Sequence, residues 1–517
     1  MSDKTPWEKA AEAQGTTSSE RILARLARKA FLSMWSYPNV YSDEGRQNDK
    51  GDGKELADLL VVFGTNVLLF SDKRCAFQSN VDIKVAWPRW YKRAIEKSAK
   101  QLAGAESFLR RFPGRVFVDK SCQTKLPVAL PSPSLARYFL IAVTRGGHAA
   151  AVRHFGGGSS GSLILNSMLE GDAHYEHPFE VGFPLEGRRF VHVLDEVTVE
   201  ALLEELDTVP DLANYLECKE RYFEAPGIFV HAAGEEELLA QYMCTVENGR
   251  HVLPKVPSHI NGIMLSEGGW ESYRSSPQRA AKRKADQGSY MWDAFIEYQA
   301  SFVRAGTAIG LPGMSLPETI DHERILRTLA AEPRLARREL ANHFRFALTK
   351  SEPGKKFARM TMSGDNMSRA YVFLTVPKPQ DVDYQVYREM RSAALLAYCR
   401  GIKVRFPRAT EAIGIASEPF SEKTASQEFL YVDLTKEMSP EESVFWKDTM
   451  EELDVLQAPA KDVRYFGRKG HEFPVPFNFG GLKFYGHKSE AAMNRAERRR
   501  LARAARKEAK RIEKRKR

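Results

Sequence analysis

The sequence predicts a mixed α/β protein built from several units in series, and three patterns lead to this fold class. Two apolar, β-branched runs near the N-terminus, 59–63 and 66–70, are separated by turn residues, as in a β-hairpin. Apolar residues recur at helical spacing on both sides of that pair, over 19–34 and 87–111. Beyond residue 355, a strand, a helix and two more strands follow one another. At 517 residues the chain is long enough for more than one core.

The N-terminal elements follow a definite order. Ser19 and Glu20 begin a capped amphipathic helix, and the hairpin comes next. A second long helix is predicted over 87–111, and short apolar runs at 115–118 and 137–143 predict two further strands. The predicted order is therefore helix, hairpin, helix, strand.

The hairpin carries charged residues where its strands begin and end. Asp58 opens the first strand, whereas Asp72 and Lys73 close the second. Because the strands are antiparallel, these residues are expected at one end of the sheet, with Glu20 beside them on the first helix. Carboxylates there could hold Mg²⁺, and a lysine could lie beside an attacked phosphate. We expect these strand-end charges to be mainly solvated.

These residues and their order resemble the PD-(D/E)XK, or restriction-endonuclease-like, superfamily, and most closely its nuclease-related-domain and Mrr-like members. The family pattern is a helix glutamate, an aspartate at a strand start, Glu-x-Lys on the next strand and a helical glutamine. Glu20, Asp58, Lys73 and Gln101 match it. The resemblance covers about residues 1–150 and implies Mg²⁺- or Mn²⁺-dependent cleavage of nucleic acid.

The chain departs from this pattern at Ser71, which stands where the family has an acid two residues before the lysine. Asp72 lies one position later, where strand alternation points it to the other face. Three alternatives follow. A bulge turns Asp72 toward the metal, Glu55 or Glu20 supplies the second carboxylate, or the fold is a non-catalytic module that binds nucleic acid or the ribosome.

The positive charge is concentrated in the last thirty residues. Residues 488–517 hold fourteen Lys and Arg against four Glu, a balance of +10 that equals the formal charge of the whole chain. Without Gly or Pro, this tail predicts a basic helix that suits phosphate backbones, DNA or RNA. A solubilising tail and a dock for an acidic protein subunit are the alternatives. The predicted nucleic-acid contacts are Arg495, Arg498, Arg499, Arg500, Arg503, Arg506, Lys507, Lys510 and Arg511.

Shifts in composition and pattern divide the chain into five units. We predict a nuclease-like core over 1–150, a mixed extension over 151–265, a helical region over 266–350, a small α/β domain with a C-terminal wrap over 355–487, and the tail. Arginines between 334 and 345 are interpreted as a solvated helix face, with nucleic-acid contact as the alternative.

Several classes are excluded by what the sequence lacks. The N-terminus has no apolar stretch behind a basic start, and no apolar run approaches the length of a membrane span, which favours the cytoplasm over a membrane. Five scattered cysteines show neither zinc nor disulfide spacing, so we expect reduced, buried thiols.

Overall fold

The first nine elements of the chain build most of one sheet and its covering helices. The computed structural model describes residues 4–46, 50–156, 159–247, 250–257, 261–309, 318–363, 368–419, 426–456 and 472–475. The elements of the first part are α1 (Pro6–Glu12), α2 (Ser18–Phe31), β1 (Ser36–Ser42), β2 (Lys54–Phe63), β3 (Asn66–Arg74), α3 (Ile83–Tyr91), α4 (Lys97–Arg111), β4 (Val116–Phe117) and β5 (Arg137–Arg145).

The predicted helix over 87–111 differs from the observed one. It begins earlier, at Ile83, because the Asp82 side chain caps the Lys84 backbone N–H, and a π-helical turn over Lys92–Glu96 separates α3 from α4.

The middle of the chain completes the first sheet and builds a second. Its elements are α5 (His148–His154), β6 (Ile164–Glu170), β7 (Glu180–Phe183), β8 (His192–Asp195), α6 (Thr198–Glu205), α7 (Val209–Phe223), β9 (Phe229–Ala232), α8 (Glu235–Cys244), β10 (Val246–Glu247), β11 (Arg250–His251) and β12 (Gly262–Leu265).

Three sheets arise from these strands, and one of them is the antiparallel pair β10-β11. The first has the order β4-β1-β2-β3-β5-β8, in which β4, β1, β2 and β3 pair antiparallel and β3, β5 and β8 pair parallel. Leu59 and Phe70 face a core shared with α2, whereas Leu60 and Leu69 face a core shared with α4, so helices cover both sides. The second sheet has the order β12-β9-β6-β7.

The last part of the chain contains a helical stretch and a four-stranded sheet. Its elements are α9 (Gly269–Arg274), α10 (Pro277–Asp286), α11 (Tyr290–Arg304), α12 (Glu318–Ala330), α13 (Arg334–Lys350), β13 (Phe357–Ser363), β14 (Arg369–Thr375), α14 (Tyr384–Arg405), β15 (Glu411–Ser417), β16 (Gln427–Asp433) and α15 (Pro440–Glu452). The sheet order is β13-β14-β15-β16, and Leu395, Cys399 and Ile402 of α14 pack on it. The edge strand β13 is not predicted by the sequence.

The interpretation of the α13 arginines as a solvated face is wrong for three of them. Arg334, Arg337 and Arg338 are buried. Arg334 pairs with Asp207 and Asp293, both at 2.7–2.8 Å, and Arg337 pairs with Asp293 at 2.7 Å. Arg338 pairs with Asp286 of α10 at 3.3 Å. These guanidinium groups are therefore internal ion-pair partners and do not offer a surface for nucleic acid.

Other expectations concern the thiols, membranes and the tail. All five cysteines are free; Cys122, Cys218 and Cys399 are buried, and Cys75 and Cys244 are partly exposed. Within the described ranges, no helix is long and apolar enough to cross a membrane. The predicted basic helix of 488–517 lies outside the described residues.

Candidate functional site

The candidate site forms where β2 and β3 separate. Their ladder runs from the Phe63↔Asn66 pair to the Leu59↔Phe70 pair. Beyond it, the Oδ2 atom of Asp58 accepts the backbone N–H of Asp72 at 2.5 Å. A side-chain carboxylate thus satisfies this backbone N–H beyond the point where the two strands stop pairing.

Asp58 is buried and faces a lysine from the neighbouring strand. The Nζ atom of Lys73 lies 3.9 Å from Oδ2 of Asp58, and the Lys73 side chain is about one third exposed. Burial raises the pKa of Asp58 to about 6; the charges of Glu55 and Glu20 add to the rise, whereas Lys73 and the Asp72 N–H oppose it. The expectation that the strand-end charges are solvated is therefore wrong for Asp58, which is 4% exposed.

Glu20 reaches the same place from the N-terminus of α2. It is the third residue of a capping box, in which the Thr17 hydroxyl accepts the Glu20 backbone N–H and the Glu20 carboxylate accepts the Thr17 backbone N–H. Burial alone would raise the pKa of Glu20, but hydrogen bonds from Asn39, Thr16 and Thr17 lower it overall. Helix capping therefore fixes this carboxylate in its charged form beside the hairpin.

Asn39 joins two of the acids. Its Nδ2 donates to Oε2 of Glu20 at 3.0 Å and to Oε1 of Glu55 at 2.8 Å. Asn39 has a φ of +48°, and a register shift follows between Val40 and Tyr41. Asparagine tolerates this left-handed conformation better than most residues do. The irregularity in β1 thus places one amide between two carboxylates.

Asp72 is held by an arginine. The Arg145 Nε atom donates to Oδ1 of Asp72 at 2.9 Å and its Nη2 atom donates to Oδ2 at 3.1 Å. The β3–β5 ladder stays in register from Asn66↔Arg137 to Arg74↔Arg145, so the strand has no shift that would turn Asp72. The contacts therefore favour Glu20 or Glu55 over Asp72 as the second acid beside Asp58.

Ser71 and Gln101 lie toward α4. The Ser71 hydroxyl contacts the Ser98 hydroxyl at 3.4 Å, and Ser98 donates to the Ala94 carbonyl at 3.0 Å. Gln101 lies three residues after Ser98 on the same helix and is partly buried. The structure thus links Glu20 to Glu55 through Asn39 and pairs Lys73 with Asp58, and Glu20 and Glu55 are close enough to Asp58 for their charges to raise its pKa. Ser71 replaces an acid with a hydroxyl packed on a helix.

Sequence reasoning missed Asn39 and Arg145. Asn39 follows Pro38, and such a pair is a turn signal inside a predicted connection. Arg145 follows an apolar strand and precedes two glycines, which marks a strand end but not a partner.

The carboxylates of this site could supply only part of the coordination of a magnesium ion. In the described part of the chain, no three His, Cys, Asp or Glu side chains are arranged to hold a metal ion together. Mg²⁺ is commonly bound by one or two carboxylates together with water and substrate phosphate. The pKa of Asp58 is raised mainly by burial and to a smaller extent by Glu55 and Glu20, so a cation beside it would stabilise its charged form. Asp58 with one glutamate could therefore supply the one or two carboxylates of such a site.

Comparison with known proteins gives no further assignment: no family model, no curated protein and no solved structure matches this chain. Since fold alone does not fix activity, we infer function from the chemistry of these side chains.

Proposed function

We propose that the N-terminal part of this protein is a metal-dependent nuclease of the PD-(D/E)XK type, acting in the cytoplasm. The observation that carries the proposal is the convergence of Asp58, Lys73 and Glu20 where β2 and β3 separate. The order of α2, the β2–β3 hairpin, a helix and the parallel strand β5 supports it, with β1 as a strand that the sequence does not predict. A role in restriction or phage defence rests only on analogy with bacterial relatives of that superfamily.

Each side chain has a distinct part in this proposal. Asp58 with Glu20 or Glu55 would hold Mg²⁺ or Mn²⁺. A bound metal would supply Lewis-acid activation of water and of the phosphate. Lys73, partly exposed, would stabilise charge that develops on the phosphate oxygens. Asn39 orients the two glutamates, and Gln101 is retained from the resemblance as an orienting residue.

Arg145 has a consequence for Lys73. Asp58 and Asp72 are neighbouring carboxylates that would otherwise compete for the one ammonium group. Because Arg145 holds Asp72 through at least two hydrogen bonds, Lys73 makes its ion pair with Asp58 and would lie beside a phosphate bound there.

A second candidate is a module that binds nucleic acid or the ribosome without cutting. The observation that favours it is Ser71, whose hydroxyl contacts Ser98 where the family pattern has an acid. In this case the carboxylates would be structural, and affinity would come from basic residues.

The deciding experiment is a nuclease assay of the full-length chain with Mg²⁺ or Mn²⁺ on single- and double-stranded DNA and RNA. We expect metal-dependent cleavage by the natural chain and by Lys84→Met, which removes an exposed lysine of α3. Lys73→Met and Asp58→Asn should lower the rate at least a hundredfold. Binding without cleavage under all metal conditions would reject the nuclease and support the binding module.

A further inference from the structure

A cavity of about 350 Å³ lies far along the chain from the acidic site, between the helical stretch and the C-terminal sheet. It is bounded by α11, the residues after it, α12, the start of α14 and the start of β16. Its volume falls within the roughly 300–1,000 Å³ of small-molecule sites.

Aromatic rings form much of its wall. Tyr298, Phe302, Tyr384 and Phe429 all line it. Tyr298 and Phe302 meet edge to face, with centroids 5.1 Å apart. Tyr298 is 52% exposed and Tyr384 is 42% exposed, which leaves large rings accessible to a ligand. Such a wall suits a flat ring that can stack.

Side chains that can donate or accept hydrogen bonds lie among these rings. The Nε2 atom of Gln299 donates to Oε1 of Gln427 at 3.1 Å, so two side-chain amides lie together at the cavity. The Nε2 atom of His322 is buried and has no hydrogen-bond partner among the described residues. A buried polar atom without a partner is costly, and a ligand atom in the cavity would satisfy it.

The charged side chains at the cavity are already paired. Arg388 donates to Glu428 at 2.9 Å. Arg391 bonds the second oxygen of the same carboxylate and lies 3.8 Å from Glu418, so two arginines face two glutamates. An anionic or cationic ligand would have to compete with these pairs. The cavity therefore favours an uncharged molecule with both donors and acceptors.

We propose that this cavity binds a nucleobase. A base provides a flat ring for the aromatic wall and an edge of donors and acceptors that side-chain amides can read. The base can belong to a free nucleoside or to a nucleic-acid strand, since the ring and its edge are the same in both. The inference uses none of the residues of the proposed nuclease site, so either can fail without the other.

Calorimetry of the full-length chain with adenosine, guanosine, cytidine and uridine tests the proposal. We expect saturable binding of at least one nucleoside with a Kd below about 1 mM. The Gln299→Leu/Gln427→Leu double variant removes both amides together and should weaken binding at least tenfold. His322→Phe should do the same independently, while Gln123→Leu, an exposed glutamine in another part of the chain, should leave Kd unchanged.

Three results would overturn the proposal: no saturable nucleoside binding, unchanged affinity in both His322→Phe and the double variant, or indole binding as tightly as the best nucleoside.

Phosphate groups should add little, so the monophosphate should bind within about threefold of its nucleoside. If a short single-stranded oligonucleotide displaces a bound nucleoside and its abasic counterpart does not, the base belongs to a nucleic-acid strand. If the protein prefers the free nucleoside, the ligand is a small molecule. Circular dichroism of each variant verifies folding.

Discussion

Asp58 carries a buried charge at a cost that depends on pH. Its pKa rises from 3.8 to about 6, so between these values the folded chain binds more protons than the unfolded chain. Stability therefore falls as pH rises through this window and stays lower above it. The shift from 3.8 to about 6 corresponds to at most about 3 kcal/mol, because residual structure in the unfolded chain reduces the difference between the two states.

The first prediction is that Asp58→Asn stabilises the protein at pH 7.5 while it abolishes cleavage. The asparagine side chain keeps an acceptor for the Asp72 N–H but removes the buried charge. Urea unfolding at pH 7.5 and 4.5 should show a gain of about 1–3 kcal/mol that shrinks at the lower pH. Glu200→Gln, at an exposed position of α6, is the control. A loss of stability at pH 7.5 would instead mean that the Lys73 pair outweighs the cost of burial.

The second prediction concerns Asp72 and Arg145. Arg145→Met leaves a buried carboxylate without its main cation and should cost about 3–5 kcal/mol. The Asp72→Asn/Arg145→Met variant should be more stable than Arg145→Met alone, because no uncompensated charge remains. Denaturant curves of the two single variants and the double variant give the coupling energy.

The activity of Asp72→Asn shows whether the second acid is Asp72 or one of the two glutamates, Glu20 and Glu55. Because Asp72 is occupied by Arg145, this variant should cleave at a rate within about tenfold of the natural chain at a temperature where both are folded. A loss as large as that of Asp58→Asn would make Asp72 a metal ligand after all and would remove Glu20 and Glu55 from that role.

At the level of elements, α2 couples a helix cap to the proposed site. Thr17→Ala removes one half of the capping box and should cost about 1 kcal/mol. It should also lower cleavage, since Glu20 loses a fixed position. Ser276→Ala, which removes the cap of α10, is the matched control: it should cost similar stability and leave cleavage unchanged. Equal effects of both variants on activity would reduce Glu20 to a structural role.

Local patterns are sufficient to predict several elements. The hairpin of β2 and β3 follows from two apolar runs around Gly64, and α2 follows from its capping residues and apolar stripe. The edge strand β13 and the π-helical turn between α3 and α4 are harder to predict. β13 is only partly buried along its length and so has no apolar signature, and the π-helical turn leaves the helical spacing almost unchanged.

The sequence does not show which residues far apart along the chain form ion pairs with each other. Arg145 lies 73 positions from Asp72, and Arg334 lies 127 positions from Asp207. A helix rich in arginine has the same composition whether it faces solvent or buried aspartates. Candidate residues could therefore be named from their positions at strand ends, whereas the partner of each charge required the fold.

On the scale of the whole molecule, charge is separated along the chain. Residues 488–517 carry the entire formal excess of +10, and residues 1–487 sum to zero. Proposed chemistry and predicted affinity are therefore assigned to opposite ends of the sequence. A neutral body with a basic tail should bind nucleic acid mainly through the tail, with little dependence on base sequence.

The last prediction is that deletion of 488–517 removes most non-specific nucleic-acid affinity and flattens its dependence on salt. Each lost phosphate contact should lower the slope of log affinity against log salt by about 0.9 on duplex DNA. The melting temperature should stay the same, since the segment contains few large apolar residues to bury. Binding curves at several salt concentrations would compare the natural chain, the deletion and a full-length variant with the nine predicted contact residues changed to glutamine. The glutamine variant keeps the length of the tail, so agreement with the deletion assigns the effect to charge. Equal affinities and slopes for all three proteins would place the nucleic-acid contact within residues 1–487 and leave the tail for an acidic protein partner.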